Sequence, residues 1–299
     1  MSLAFQTLKG AAWLGSLPPL GLTSAVGRGL GRLASRLDDR HWGIVTDNLR
    51  SSFPERDEAW VLDTARACFS HLGQVILEIP RLVRLSPESI LERTRHHGLD
   101  NLEQARALGK GVLTLTGHLG NWEWASVASG IIVGGACPVA RPLDWPPADA
   151  LVNYWRTRCG GEVIPKARSA RQVLRALKRN KLVGVLLDQN VDWYDGEWVD
   201  FFGRPACTNK GLALLAMATG APVLTYHNFR APDGCFDVYF GPPLPLIKSG
   251  DKTMDVWNNT QLYTKALEAI IRQRPEQWFW MHQRWKTKPF HAWPREQGR

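Results

Sequence analysis

The stretch His118-Leu119-Gly120-Asn121-Trp122-Glu123 is where residue types and spacing point most directly to chemistry. Imidazole titrates near neutrality, so a carboxylate that accepts the proton of one ring nitrogen leaves the other free as a general base. Such a pair can deprotonate an alcohol for attack on an acyl carbon. Backbone N–H groups at the start of a following helix can hold the resulting oxyanion. Gly117 and Gly120 keep the turn open. By itself the spacing is weak, since a structural histidine followed by a surface glutamate reproduces it. Other chemistries have less support. There is no His-Glu-x-x-His, no second His or Cys close to His118, and no Gly-x-Ser-x-Gly nucleophile turn.

The elements around this stretch decide whether it can act. Residues 111–116 form a short apolar run that ends at Gly117-His118, and a helix can start at Trp122. A second buried run, 182–187, ends at Asp188. Further strands are expected at 222–226 and 236–240, with helices at 56–84, 171–180 and 254–273. Thr208 is placed to N-cap a helix running to Thr219. Strands alternating with helical crossovers predict an α/β fold with a mixed, largely parallel sheet flanked by helices. In such sheets, sites gather beyond the carboxyl ends of strands, where His118 and Asp188 both stand.

The N-terminus has a different character. Residues 10–27 carry no charge, but Pro18-Pro19 interrupts any continuous helix. Arg28, Arg32 and Arg36 then recur every four residues, with Val26, Leu30, Leu33 and Leu37 largely on another face. This reads as an interfacial membrane anchor, against the plainer reading of a core-packed helix with a solvated basic face. Gly27, Gly29 and Gly31 weaken the helix. The expected division is a membrane-associated helical segment, 1–40, and a catalytic domain, 41–299.

Composition adds direction. The 299-residue chain has a net charge of +9 and 14 tryptophans against 5 tyrosines, a balance suited to an anionic, interfacial partner. The five cysteines lack Cys-x-x-Cys spacing, which argues against a zinc knuckle or a disulfide framework and for a reducing compartment. No nucleic-acid-binding signature is present. A non-enzymatic alternative is a basic, tryptophan-rich membrane-binding protein.

Gly117-His118-Leu119-Gly120-Asn121-Trp122-Glu123-Trp124-Ala125 resembles the first motif of the bacterial lipid A late acyltransferases, the lauroyl/myristoyl acyltransferase family. Further blocks resemble the same family in the same order: Asn48-Leu49 with Phe53-Pro54-Glu55, Arg141-Pro142-Leu143, Asp188-Gln189, Phe201-Phe202-Gly203-Arg204-Pro205-Ala206, Gly220-Ala221-Pro222-Val223, and 275–286. The similarity spans about residues 27–287. Asn190 and Asp200 depart from the family pattern, which often has an acid and a proline there.

The resemblance implies a glycerolipid-acyltransferase-like fold, with His118 as general base and Glu123 as its orienting partner. The donor would be a fatty acyl thioester on acyl carrier protein. The acceptor would be a hydroxyl of a phosphorylated glycolipid, at the cytoplasmic face of a bacterial inner membrane. No metal and no cofactor are called for. A lysophospholipid or a mannosylated phosphoinositide is an alternative acceptor. Asn121, Arg141, Asp188, Gln189 and Arg284 are the candidate substrate-binding residues. Arg141 can clamp phosphate bidentately, and Asp188 can hold Arg141 or a loop. Lys166, Arg168 and Arg171 suit an anionic head group or an acidic carrier. Arg284 and Lys286, interleaved with Trp278, Trp280 and Trp285, suit a bilayer interface, although Trp278 and Trp285 suit a core equally. His282 is expected to support the motif structurally.

Overall fold

A computed structural model describes residues 2–288; the last eleven residues of the expected catalytic domain, 289–299, lie outside the described residues. The helices are α1 (Leu3–Gly15), α2 (Leu20–Leu37), α3 (Asp39–Ser52), α4 (Glu58–Glu78), α5 (Pro87–Leu91), α6 (Leu99–Ala107), α7 (Trp122–Val133), α8 (Pro146–Thr157), α9 (Ala170–Lys178), α10 (Gly211–Thr219) and α11 (Lys252–Gln273). The strands are β1 (Thr94–His97), β2 (Val112–Thr116), β3 (Ala136–Ala140), β4 (Ile164–Pro165), β5 (Leu182–Leu186), β6 (Gly196–Phe201), β7 (Arg204–Asn209), β8 (Val223–Arg230) and β9 (Phe236–Leu244). Seven strands form one sheet in the order β1-β9-β8-β2-β5-β3-β4. Every neighbouring pair is parallel except β8 and β9. The mixed, largely parallel sheet flanked by helices is therefore present.

The central strands explain the near-continuous apolar runs in the sequence. Leu113, Leu115 and Val183 are buried in the main core with α10 and α11, while Val112 and Leu182 pack with residues of α6 and α7. A sheet covered on both faces needs apolar side chains on both.

The hairpin of β6 and β7 lies apart from the main sheet. Phe202 and Gly203 both have positive φ in its two-residue turn, as the twist of a tight hairpin favours. Phe202 tolerates this because its ring is buried among Phe53, Trp278 and Trp280. Thr208 belongs to β7, not to a helix cap. Its hydroxyl faces the Arg284 guanidinium, and α10 starts three residues later.

The N-terminal segment is helical on both sides of the Pro18-Pro19 break. The glycines of α2 have a packing role. A methyl group on Gly27 or Gly31 would overlap the backbone of α4 at Gly73 or Phe69, and one on Gly73 would overlap Gly27. The helices therefore meet backbone to backbone, and α2 buries Thr23, Ser24, Gly27 and Gly31. The consequence is unusual for a soluble helix. Leu22, Val26, Leu30, Leu33 and Leu37 are all exposed, as are Arg28, Arg32 and Arg36. The leucine face is not core. Among the described residues no helix is long and apolar enough to cross a membrane.

Candidate active site

Strands β2 and β5 run side by side in parallel, with Thr116 opposite Leu186. Two residues further along each chain, His118 and Asp188 come together. The Asp188 carboxylate lies 3.0 Å from His118 Nδ1 and accepts the His118 backbone N–H at 2.6 Å. It also accepts the Trp278 indole N–H at 2.9 Å. Gly117 makes room for it, since a Cβ there would stand 3.1 Å from the carboxylate. Asp188 is buried, and burial raises a carboxyl pKa. The His118 charge, the two hydrogen bonds from His118 and the one from Trp278 overcome this and bring Asp188 down to about 2. For His118, burial opposes protonation, but the Asp188 charge and hydrogen bond, with Glu123 nearby, raise its pKa above the usual value.

The imidazole is thus held by Nδ1. With that nitrogen donating to Asp188, Nε2 is the basic atom. Trp122 and Phe279 border the ring, with centroids at 5.2 and 6.2 Å. The C-terminal segment braces the turn: Phe279 N–H donates to the His118 carbonyl, and Gly120 N–H donates to the Gln277 carbonyl. Gly120 has a positive φ and lies against Asn228, where a side chain would collide.

The expected hydrogen bond between His118 and Glu123 is not formed. Glu123 is buried in the first turn of α7, and its carboxylate turns to α8. Arg156 grips it with Nε at 2.9 Å and Nη2 at 2.5 Å, and the Trp155 indole donates at 2.8 Å. Burial raises the Glu123 pKa, but these partners bring it below its ordinary value. A buried carboxylate needs a cation more than it needs a neutral ring, and α8 supplies one. Glu123 still acts on His118 through space, as one of the charges raising its pKa. Asp188 rather than Glu123 therefore holds the His118 ring. Asp188 also makes no pair with Arg141, whose recorded partner is Asp144.

The other expected site residues divide. Asn121 is fully buried; it caps α7 by accepting from Trp124 N–H, and its amide faces Glu78. Its side chain is spent within the fold. Arg284 is 1% exposed and donates to the Cys207 carbonyl and the Thr208 hydroxyl, so it locks β7. Trp278, Trp280 and Trp285 are buried core residues, not interfacial ones. Gln189 is exposed directly after Asp188. Arg141 is exposed just past β3, and Lys166 and Arg168 just past β4. Because β2, β3, β4 and β5 are parallel, these cations share the rim that carries His118. His282 is structural, as expected: its Nε2 accepts the Asn190 N–H at 2.8 Å. The two departures have local partners, since Asn190 also bonds Thr287 and Asp200 pairs with Lys265.

Oxyanion donors can be narrowed. The N–H groups of His118, Leu119, Gly120 and Asn121 are taken by Asp188, Gly117, Gln277 and Asn228. Among the described residues, Trp122 and Glu123 N–H, at the N-terminus of α7, have no recorded acceptor. Sequence reasoning missed Trp155 and Arg156. They lie 32 and 33 residues from Glu123 in a helix with no local mark of a site.

The chain is 28% identical over 284 residues to the lipid A biosynthesis lauroyltransferase of Escherichia coli, covering 94% of this chain and 90% of that one. It is 26% identical to the palmitoleoyltransferase of the same organism over 94% of this chain and 90% of that one. It is 31% identical over 194 residues to the phosphatidylinositol mannoside acyltransferase of Mycobacterium tuberculosis, covering 63% and 58%. A solved structure, the 1-acyl-sn-glycerophosphate acyltransferase of Thermotoga maritima, aligns over 87% of this chain and 100% of that one, at 13% identity and a TM-score of 0.39. The family of bacterial lipid A biosynthesis acyltransferases matches residues 5–287. With nearly the whole chain matched, the protein is an acyltransferase that belongs to the bacterial lipid A biosynthesis acyltransferase family.

Proposed function

We propose that this enzyme moves a fatty acyl chain from an acyl carrier protein thioester to a hydroxyl of a lipid A-type glycolipid, working at the cytoplasmic face of a bacterial inner membrane. The observation that carries the mechanism is the His118–Asp188 pair. His118 Nε2 takes the proton of the acceptor hydroxyl as its oxygen attacks the thioester carbon. The tetrahedral oxyanion is held by N–H groups at the start of α7. Collapse breaks the C–S bond, and protonated His118 returns the proton to the leaving thiolate. The ester passes directly to the acceptor with no covalent acyl-enzyme. The buried Glu123–Arg156 pair positions α7 and adds its field to His118.

The membrane reading rests on the exposed leucines of α2, on Trp13, Leu14 and Leu17 beside them, and on Leu143, Trp145, Trp193 and Tyr194 in the loops after β3 and β5. Those loops leave the same rim as His118. Arg141, Lys166 and Arg168 supply positive charge there for acceptor phosphates or an acidic carrier protein. The mannoside acyltransferase relative favours a mannosylated phosphoinositide as a second acceptor class.

The test is acylation by purified protein given labelled acyl carrier protein and each acceptor separately. Transfer to a lipid A precursor, lost in His118→Ala, is the expected result. Transfer to no acceptor, or full activity in His118→Ala, refutes the reading.

A further inference from the structure

Beyond the carboxyl end of β8, where Arg93 leads into β1, a cavity of about 300 Å³ opens at the break between α1 and α2. Leu17, Pro18, Pro19 and Leu20 form one wall. Arg81, Arg84, Leu85, Arg93 and the indole of Trp124 form the rest. Three guanidinium groups thus line one small space.

Their pairing is incomplete. Arg81 is 6% exposed, and its Nη2 donates to the Pro18 carbonyl and the Thr23 hydroxyl, while its buried Nε has no partner among the described residues. Arg84 donates only to Ser16, through its hydroxyl and carbonyl. Among the described residues no carboxylate pairs with Arg81, Arg84 or Arg93. Glu78, the acid whose charge reaches Arg81, is already committed to Arg230, Ser24 and Asn121. Burial, then the neighbouring charges of Arg84 and Arg93, lower the Arg81 pKa, with only Glu78 opposing. A buried cation with a free donor, set among like charges, is stabilised by an anion that accepts several N–H bonds.

The surroundings define what kind of anion. The cavity wall is apolar apart from the arginines, and exposed Leu14, Leu17 and Leu22 continue from it along α1 and α2. A phosphate in the cavity would therefore have hydrocarbon surface beside it. We propose that Arg81, Arg84 and Arg93 form a phosphate site at the α1–α2 joint that takes the head group of an amphiphilic lipid. The phosphate would bond the free Arg81 Nε and the two outer guanidiniums, and the acyl chains would lie over the leucines. Occupancy would tie the two N-terminal helices to the catalytic domain through one ligand.

Two sources share this chemistry, a phospholipid of the bilayer and a phosphate of the glycolipid acceptor. The test begins with binding, independent of catalysis. Dihexanoyl phosphatidic acid is titrated into the full-length protein, with inorganic phosphate as competitor. The variants are Arg84→Gln and Arg93→Gln, because Arg81→Gln also removes the tie to Pro18 and Thr23. Saturable binding that phosphate competes away, weakened at least tenfold in each variant, is expected. Absence of binding, or equal binding by folded wild type and both variants, overturns the proposal. A second arm assigns the source and alone rests on the acylation proposed above. A higher KM for a phosphorylated acceptor in Arg93→Gln, with kcat unchanged, assigns the acceptor. An unchanged KM with weaker flotation on vesicles containing phosphatidic acid assigns a bilayer lipid.

Discussion

Replacing Asp188 with asparagine separates the two carboxylates that compete for the role of orienting His118. The carboxylate receives three N–H groups: His118 N–H and Trp278 Nε1–H on Oδ2, and His118 Nδ1–H chiefly on Oδ1. An amide has one oxygen. The two fixed donors, a backbone N–H and an indole N–H, claim it, because neither can change its protonation. The amide NH₂ is then turned toward Nδ1, and two donors cannot face each other. The ring answers by moving its proton to Nε2, so Nδ1 accepts from the amide. Folding is little disturbed, but the atom facing substrate is now a donor. A histidine locked in the wrong tautomer typically loses about 10⁴-fold in a comparable serine-hydrolase arrangement, and loss of general-base help about 10²- to 10⁴-fold. We therefore expect kcat to fall about 10³-fold, KM to change little, and the melting temperature to stay near wild type, measured by acyl transfer from labelled donor and by thermal unfolding. If Asp188→Asn keeps activity within about fivefold of wild type, while Glu123→Gln folds normally and is dead, the orienting carboxylate is Glu123 and the reasoning fails.

Glu123→Gln leaves the largely buried Arg156 guanidinium without its countercharge, so stability should drop by about 3 kcal/mol, with activity falling less than in Asp188→Asn; denaturant unfolding checks the first and kinetics the second. His118 must be neutral to act, and its folded pKa lies above the ordinary 6.5, so kcat/KM should rise with pH through a midpoint above 6.5. In Asp188→Asn the residual activity should titrate lower, because the Asp188 charge and hydrogen bond are lost while burial still opposes protonation, and an unmoved midpoint would count against the pair. The raised His118 pKa stabilises the fold fully below pH 6.5 and is lost as pH rises through it, whereas Asp188 contributes above about 4 and loses this as pH falls toward about 2. Gly31→Val should destabilise the protein by at least 1–3 kcal/mol, because the added carbons meet the Phe69 backbone of α4; an unchanged melting temperature would contradict the close helix contact. Leu30→Asp with Leu33→Asp should abolish flotation on anionic vesicles with circular dichroism unchanged, since both side chains are exposed.

Much of the framework was readable from local pattern. Apolar runs at 111–116 and 182–187 mark β2 and β5 because central parallel strands are buried on both faces. The proline break and the helical spacing of 56–84 likewise point to elements that are present. Other elements were not legible. The β6–β7 hairpin turns at Phe202-Gly203, where a phenylalanine holds positive φ only because distant aromatic rings enclose it. Trp278, Trp280 and Trp285 suit an interface or, for Trp278 and Trp285, a core equally in sequence, because nothing local tells a buried indole from one at a bilayer surface, and all three are buried. For helix α2 the sequence favoured an interfacial face over a core-packed one, and its leucines are indeed exposed, because glycines at four-residue spacing bring the backbone closer to α4 than any leucine would allow.

The sequence by itself singled out the candidate base and the kind of chemistry. His118 follows a strand and precedes a helix within an ordered series of family motifs, and those are properties of neighbouring residues. Which acid serves that base was decided only by tertiary structure. Glu123 is five residues from His118, but the first turn of α7 carries its carboxylate to Arg156. Asp188 is seventy residues away, but parallel pairing of β2 with β5 sets it against Nδ1. Spacing along a chain fixes distance only within one element, and strand register fixes it between elements.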